Sequence, residues 1–204
     1  MKNSKLFSTK RQQINTLQEG QGFEDGQKYT LASYKEMADK FCTAWSEKYY
    51  NGGEMTMEQL AKDYWDIVET SSKDAVVDYG NDVDTAIYSS GFEPTEHFSI
   101  GSPSTSTFED VDYKSTGTFS DKFYKTTGWN LNNLPHIDGS VLKYLKTPIN
   151  GVNVPWLYMG MLFASFCWHN EDNYFYSMNY SHFGAVKQWY GVPGGEASIF
   201  EKVC

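Results

Sequence analysis

Arginine is nearly missing: Arg11 is the only one among 204 residues. Proteins that track nucleic-acid phosphates need a clustered basic face rich in arginine, so direct nucleic-acid binding is not expected of this chain. The balance is acidic instead, with 26 Asp and Glu against 17 Lys and Arg and a formal charge of −9. Such a surface suits a basic partner, and equally a protein that is simply soluble. Cysteine is scarce. Cys42, Cys167 and Cys204 are odd in number and far apart, with no CxxC pair and no zinc spacing. That excludes a disulfide framework and points to free thiols in a reducing, intracellular setting. No apolar run approaches ~18 residues, so no membrane span is expected. Met1 to Gln13 is mostly polar and lacks the apolar stretch of a secretory signal.

Aromatics are plentiful: 15 Tyr, 13 Phe and 6 Trp, or 17% of the chain, within a hydrophobic content of 40%. Disordered segments are poor in aromatics, so most of the chain must fold. The length suffices for one good core or two small ones.

The pattern along the chain predicts three regions. Residues 1–20 read as a disordered lead-in. Residues 21–122 read as a helical linker region. Within it Leu31, Tyr34, Met37, Ala38, Phe41, Trp45 and Tyr49 recur at helical steps, so an amphipathic helix is expected from Tyr29 to Tyr50. Asn51-Gly52-Gly53 stops it. Thr56 followed by Gln59 reads as a capping box for a second helix. Ala75 to Gly80 reads as a short strand, and the Ser- and Thr-rich stretch from 93 to 127 as a surface excursion. Residues 123–204 resume a compact pattern. A short helix is expected around Ser140 to Leu145. Strands are expected over Trp156–Phe163, Ala164–Glu171, Tyr174–Tyr180 and Lys187–Val192, then a helix from Glu196.

Four histidines exist: His97, His136, His169 and His182. His169 stands two positions before Glu171. On a strand, residues two apart share a face. An imidazole and a carboxylate on one face can supply two corners of a facial iron site. By itself that spacing is a weak signal, since a surface pair or a satisfied core pair fits it equally. Continued at even steps, the same face would carry Ser177, Asn179, Lys187 and Trp189, if register survives the turns. A face of His, acid, Ser, Asn and Lys is poor core and makes sense as the lining of a ligand pocket. Lys187 could meet a carboxylate of a small anionic ligand. Alone, it reads as a snorkelling surface lysine.

The stretch from Phe166 through Trp168-His169-Asn170-Glu171-Asp172, with Tyr176-Ser177-Met178-Asn179-Tyr180 and Lys187-Gln188-Trp189-Tyr190-Gly191-Val192-Pro193, resembles the JmjC domain of lysine demethylases. Gly128-Trp129-Asn130-Leu131-Asn132-Asn133-Leu134-Pro135, Val154-Pro155-Trp156-Leu157-Tyr158, Tyr29-Thr30-Leu31 and Met37 to Phe41 are similar to the lysine-specific demethylase 5 subfamily. The resemblance covers roughly residues 20 to 194.

The resemblance implies an α+β fold. A helical region would be followed by the first part of a double-stranded β-helix (cupin) barrel, truncated within a JmjC domain that opens near residue 123. It implies Fe(II) held by His169 and Glu171, and 2-oxoglutarate held by Lys187 through its distal carboxylate. Tyr79, Phe166, Ser177 and Asn179 would complete that pocket, Trp189 would pack beneath the cosubstrate, and Tyr158 would lie near the methylated lysine. Because Phe166 is off the parity of His169, a bulge or bend is expected between them. The implied activity is demethylation of methylated lysine in histone H3, with lysine 4 as the expected target. The setting would be the nucleus, among chromatin complexes.

Two departures stand out. The family's third iron ligand is a second His on a later strand, beyond position 204, and His97, His136 and His182 are poor substitutes. Val186 also stands where a Pro commonly precedes the Lys. The missing third ligand is why the chain alone is expected to be inactive; the Val186 change is not expected to matter. The JmjN segment and the DNA-binding and zinc-finger modules of the subfamily are likewise not recognised. A non-catalytic chromatin-binding module and a JmjC protein hydroxylase are the competing readings.

Overall fold

The computed structural model describes residues 5–17, 22–92 and 119–203. Most of the Ser- and Thr-rich excursion lies outside them, as does His97. The chain divides into two units, Met1–Cys167 and Trp168–Cys204.

The first unit is built on an antiparallel sheet of order β2-β1-β3-β4. Its strands are β1 (Phe7–Gln13), β2 (Phe23–Tyr29), β3 (Val76–Asp84) and β4 (Trp156–Met159). Between β2 and β3 run the helices α1 (Leu31–Tyr50) and α2 (Met57–Trp65), the latter continuing into a π-helical turn over Asp66–Thr70. After β3 come a single turn, α3 (Thr85–Tyr88), and then α4 (Phe119–Thr126).

The second long helix begins where its capping box places it, and the first begins at Leu31, two residues after the expected start. The Thr30 hydroxyl accepts from the Ser33 backbone N–H, and Thr56 does the same for Gln59. In each case the third residue bonds back to the cap, so two of the helix's orphan N–H groups are satisfied. Asn51 ends α1 in the left-handed conformation, φ 53°. Short polar side chains tolerate that region better than most residues.

The lead-in expected at 1–20 is corrected. Residues 7–13 form β1, an interior strand paired with β2 on one side and β3 on the other. Its sequence, FSTKRQQ, conceals this because two of its inward positions are polar. Phe7, Thr9, Gln12 and the following Ile14 are all buried. Thr9 is satisfied by donating to the Gln27 carbonyl at 2.7 Å, and Gln12 by the backbone of Ser165. A bulge interrupts the β1–β2 register after Ser8. There Gly26 lies against Thr9, where a Cβ would collide with backbone and side chain alike.

Two clusters of buried side chains hold this unit together. One packs Ile14, Trp45, Ile67, Ala75, Val77 and Phe163. The other packs Phe7, Tyr34 and Val83. Phe163 enters the first in a left-handed turn, φ 66°, with its ring edge-on to Trp45 at 4.7 Å. A buried polar knot ties α1 to α2. Asp63 accepts from Trp45 Nε1 at 2.8 Å and pairs with Lys73, whose ammonium also lies 3.7 Å from Asp66.

The second unit carries a 3₁₀ turn at Asp172–Tyr174, another at Gly194–Glu196, and α5 (Ala197–Val203). The α+β class stands, but its strands are distributed otherwise than expected. Of the strands expected after Pro155, only β4 forms, and no ladder is present over residues 160–203 among the described residues. A ladder is a pairing event, so an extended segment qualifies only when a neighbour receives its N–H and C=O groups. The short helix expected near Ser140 is a 3₁₀ turn, Val141–Tyr144, capped by the Ser140 hydroxyl. The end of the expected surface excursion is α4.

Candidate functional site

The residues singled out in the sequence fall on both units. In the first, Tyr79 lies on β3 and Tyr158 on β4. Pairing of Gly80 with Met159 brings these strands together, and the two rings stack at 6.3 Å with a 29° interplanar angle. Tyr79 is 5% exposed and Tyr158 43%. Burial, with the neighbouring Tyr158 and Asp82 adding to it, pushes the Tyr79 hydroxyl well above the usual tyrosine range. Tyr79 is therefore neutral, and its companion offers a hydroxyl-bearing ring to solvent. Phe166 is 36% exposed and follows Ser165, whose backbone is tied to Gln12.

In the second unit His169 and Glu171 are exposed and flank Asn170, immediately before the turn at Asp172–Tyr174. Asn173 and Tyr174 are both left-handed there, φ 53° and 54°. For tyrosine this conformation is uncommon and costs on the order of 1 kcal/mol. The acidic member of the pair is thus followed at once by a forced change of chain direction. Ser177 and Asn179 are exposed on chain without regular secondary structure. Lys187 is half-buried, with its ammonium 5.6 Å from the Trp189 ring centroid. Burial holds Lys187 below the ordinary lysine value.

The single-strand picture that gave His169, Glu171, Ser177, Asn179, Lys187 and Trp189 a common face is not how the chain carries them. They occupy chain without regular secondary structure, interrupted by the turn at 172–174 and by bends at 183–185, where Gly184 takes φ 98°. Parity counted through such interruptions is lost. Among the described residues no group of three His, Cys, Asp or Glu is arranged to hold a metal ion. The His169–Glu171 pair suits a divalent iron in donor type, nitrogen and oxygen, but supplies two donors. His182 packs between Tyr180 and Phe183, at ring distances of 6.0 and 5.6 Å. Two hollows among the described residues, one on the outer face of α1 and one of about 520 Å³ between Phe123, Trp129 and Ile137, contain none of these residues.

The asparagine-rich motif after Gly128 has a structural role that its sequence disguised. Asn130, 1% exposed, donates to the Tyr124 carbonyl at 3.0 Å and accepts from the Asn132 N–H at 2.9 Å. Asn133 donates to the carbonyls of Lys125 and Thr127. The motif thereby satisfies carbonyls at the end of α4 that the helix leaves unpaired. Gln12, Asp63 and Asp78 also went unnoticed as buried polar groups. Asp78 accepts from the Tyr29 hydroxyl at 2.7 Å, and Arg11 lies 3.8 Å away. Their signal was that each neighbours apolar residues at strand or helix spacing.

Residues 156–204 match the JmjC domain family, described as "JmjC domain, hydroxylase". The chain is 43% identical over 191 residues to lysine-specific demethylase JMJ17 of Arabidopsis thaliana, covering 93% of this chain and 14% of that protein. It is 38% identical over 195 residues to lysine-specific demethylase 5B of Gallus gallus, 94% of this chain and 12% of the relative. For lysine-specific demethylase 5D of Homo sapiens the identity is 39% over 185 residues, 89% and 11%. The chain thus spans less than a sixth of these relatives' length. The match includes His169, Glu171, Ser177, Asn179, Lys187 and Trp189. The chain belongs to the JmjC family, and its relatives are lysine-specific demethylases, the demethylase 5 proteins among them.

Proposed function

We propose that this chain is part of an Fe(II)- and 2-oxoglutarate-dependent demethylase of methylated lysine in histone H3, with lysine 4 as the target and the nucleus as its setting. The observation that carries the reading is the His169-x-Glu171 pair followed by half-buried Lys187, all within the JmjC match. The residues fit iron by donor type, and His169 and Glu171 would hold it. When bound, Fe(II) with 2-oxoglutarate supplies the oxidation of an N-methyl carbon by dioxygen, after which formaldehyde leaves.

The chain's own residues bind and orient. Lys187 takes the distal carboxylate of 2-oxoglutarate. Ser177 and Asn179 offer it hydrogen bonds, Trp189 a flat apolar surface, and Phe166 an apolar wall. Tyr79, buried and neutral, donates a hydrogen bond to the cosubstrate, and the exposed Tyr158 ring meets the methylated lysine. The acidic surface suits a basic histone tail and chromatin complexes. We infer also that residues 123–155 belong with the JmjC segment. With two protein donors for iron in hand, turnover is not expected of this chain alone.

The test is calorimetric titration of 2-oxoglutarate into the chain with Fe(II), without oxygen. Lys187→Ala removes a charge-assisted contact of about 1.5–3 kcal/mol, so affinity should fall about tenfold or more. Unchanged affinity rejects the role of Lys187. Incubating the chain with oxygen and a trimethylated histone H3 peptide then reads the chemistry by mass. Demethylation removes a methylene, whereas side-chain hydroxylation adds an oxygen. Demethylation above a His169→Ala control would show that a third ligand is supplied by another group.

A further inference from the structure

We propose that Gln12 is a positioning residue for Phe166: its buried side-chain amide, paired with the backbone of Ser165, sets where the Phe166 wall of the cosubstrate pocket stands. This rests on the 2-oxoglutarate reading of Phe166 given above.

Gln12 lies on interior strand β1, opposite Phe23 of β2 and Val77 of β3. Two ladders therefore fix its backbone. Its side chain, in a residue 2% exposed, donates from Nε2 to the Ser165 carbonyl at 2.7 Å and accepts from the Ser165 N–H at 2.8 Å. A primary amide here does what a neighbouring strand would do, matching one donor and one acceptor of the backbone at once. Its ladder partner Val77 and Ile14, two residues further along the chain, both belong to the buried apolar cluster. Methionine or leucine would fill the same space without the cost of burying an amide. Such residues could not hold Ser165 in register, and a glutamate could not donate to its carbonyl.

Two more fixings act on the same short stretch. The Ser165 hydroxyl donates to the Phe163 carbonyl at 2.8 Å and lies 3.2 Å from the Tyr64 hydroxyl. The Phe163 ring is buried against Trp45. Phe166 is the next residue along the chain, so its backbone starts from an anchored amide. The N-terminal strand thus acts on the pocket from 153 residues away in sequence.

The experiment compares Gln12→Met and Gln12→Asn with the parent. Asn keeps both polar groups but is too short to reach. Thr85→Val is the control, because it deletes a side-chain-to-backbone bond away from the pocket, from the Thr85 hydroxyl to the Pro155 carbonyl at 2.8 Å. Three quantities are read: thermal midpoint, amide hydrogen exchange at Ser165 and Phe166, and 2-oxoglutarate affinity with Fe(II) without oxygen. Both Gln12 variants should lose protection at Ser165 and Phe166 and bind 2-oxoglutarate about tenfold or more weakly, since small misplacements cost that much. Thr85→Val should bind within about twofold of the parent at a similar loss of midpoint. If Gln12→Met fails to fold, Gln12→Asn carries the comparison. Lost protection with unchanged affinity, or equal weakening in Thr85→Val, overturns the proposal. If the parent itself binds no 2-oxoglutarate, the reading of the pocket fails. The anchoring is then decided by exchange at Phe166 alone, upheld by lost protection and overturned by retained protection.

Discussion

Replacing Asp63 by Ala tests the polar knot between α1 and α2. Asp63 is 2% exposed. It accepts from Trp45 Nε1 at 2.8 Å and from the Tyr50 hydroxyl, and it pairs with Lys73. Removing one member of a buried ion pair costs about 3–5 kcal/mol, because the other charge is left uncompensated. Two features pull the figure toward the lower end. The Lys73 side chain keeps 19% exposure, and Asp66 remains 3.7 Å away to share its charge. Against that, buried Trp45 loses its acceptor, and an unsatisfied buried donor costs about 1–3 kcal/mol, whereas the half-buried Tyr50 hydroxyl can turn to water. The expected loss is about 3–4 kcal/mol. Urea unfolding followed by tryptophan fluorescence measures it, with Trp45 as a reporter beside the site. Asp63→Asn keeps an acceptor for Trp45 and should lie between Ala and the parent. Lys35→Ala breaks an exposed pair with Asp39 and should cost less than about 1 kcal/mol. An Asp63→Ala loss as small as that of Lys35→Ala would refute the reasoning.

Stability should fall as pH rises from 10 toward 12. Tyr29, under burial and its bond to Asp78, is pushed up to about 12 from 10.0, and Tyr50, under burial and its bond to Asp63, likewise to about 12. Tyr34 and Tyr79 lie higher still through burial. The folded state keeps these protons and the unfolded state releases them, so their contribution is complete below pH 10 and is lost through the folded values. Tyr34→Phe should flatten that decline by about one proton, read by alkaline unfolding with tyrosinate absorbance. Lys187→Met should stabilise the chain near neutral pH in denaturant titrations, and less so as pH approaches 10.5. The reason is that burial lowers the folded lysine value from 10.5 and penalises the charged form below it. Thr56→Ala should remove about 1 kcal/mol through the lost cap of α2, visible as a lower urea midpoint.

What the sequence determined by itself is local or chemical. Thr56 announces its helix because a cap is satisfied within three residues. Asn51-Gly52-Gly53 announces a stop for an equally local reason. The His169-x-Glu171 and Lys187 motif carries its chemistry in side-chain type, so the family is legible without coordinates. The tertiary structure alone decided what depends on partners distant in sequence. Residues 7–13 became a central strand because Gln12 and Thr9 find their hydrogen-bond partners at Ser165 and Gln27, which no local pattern reveals. The segments around His169 and Ser177 have strand composition, yet a strand exists only where a neighbour pairs with it, and the parity argument failed at Asn173, Tyr174 and Gly184. Asp63 and Asn130 are of residue types that ordinarily stay exposed, and helix packing and the turn of the chain bury them. Burial is a property of the whole arrangement, whereas propensity is a property of a few neighbouring residues.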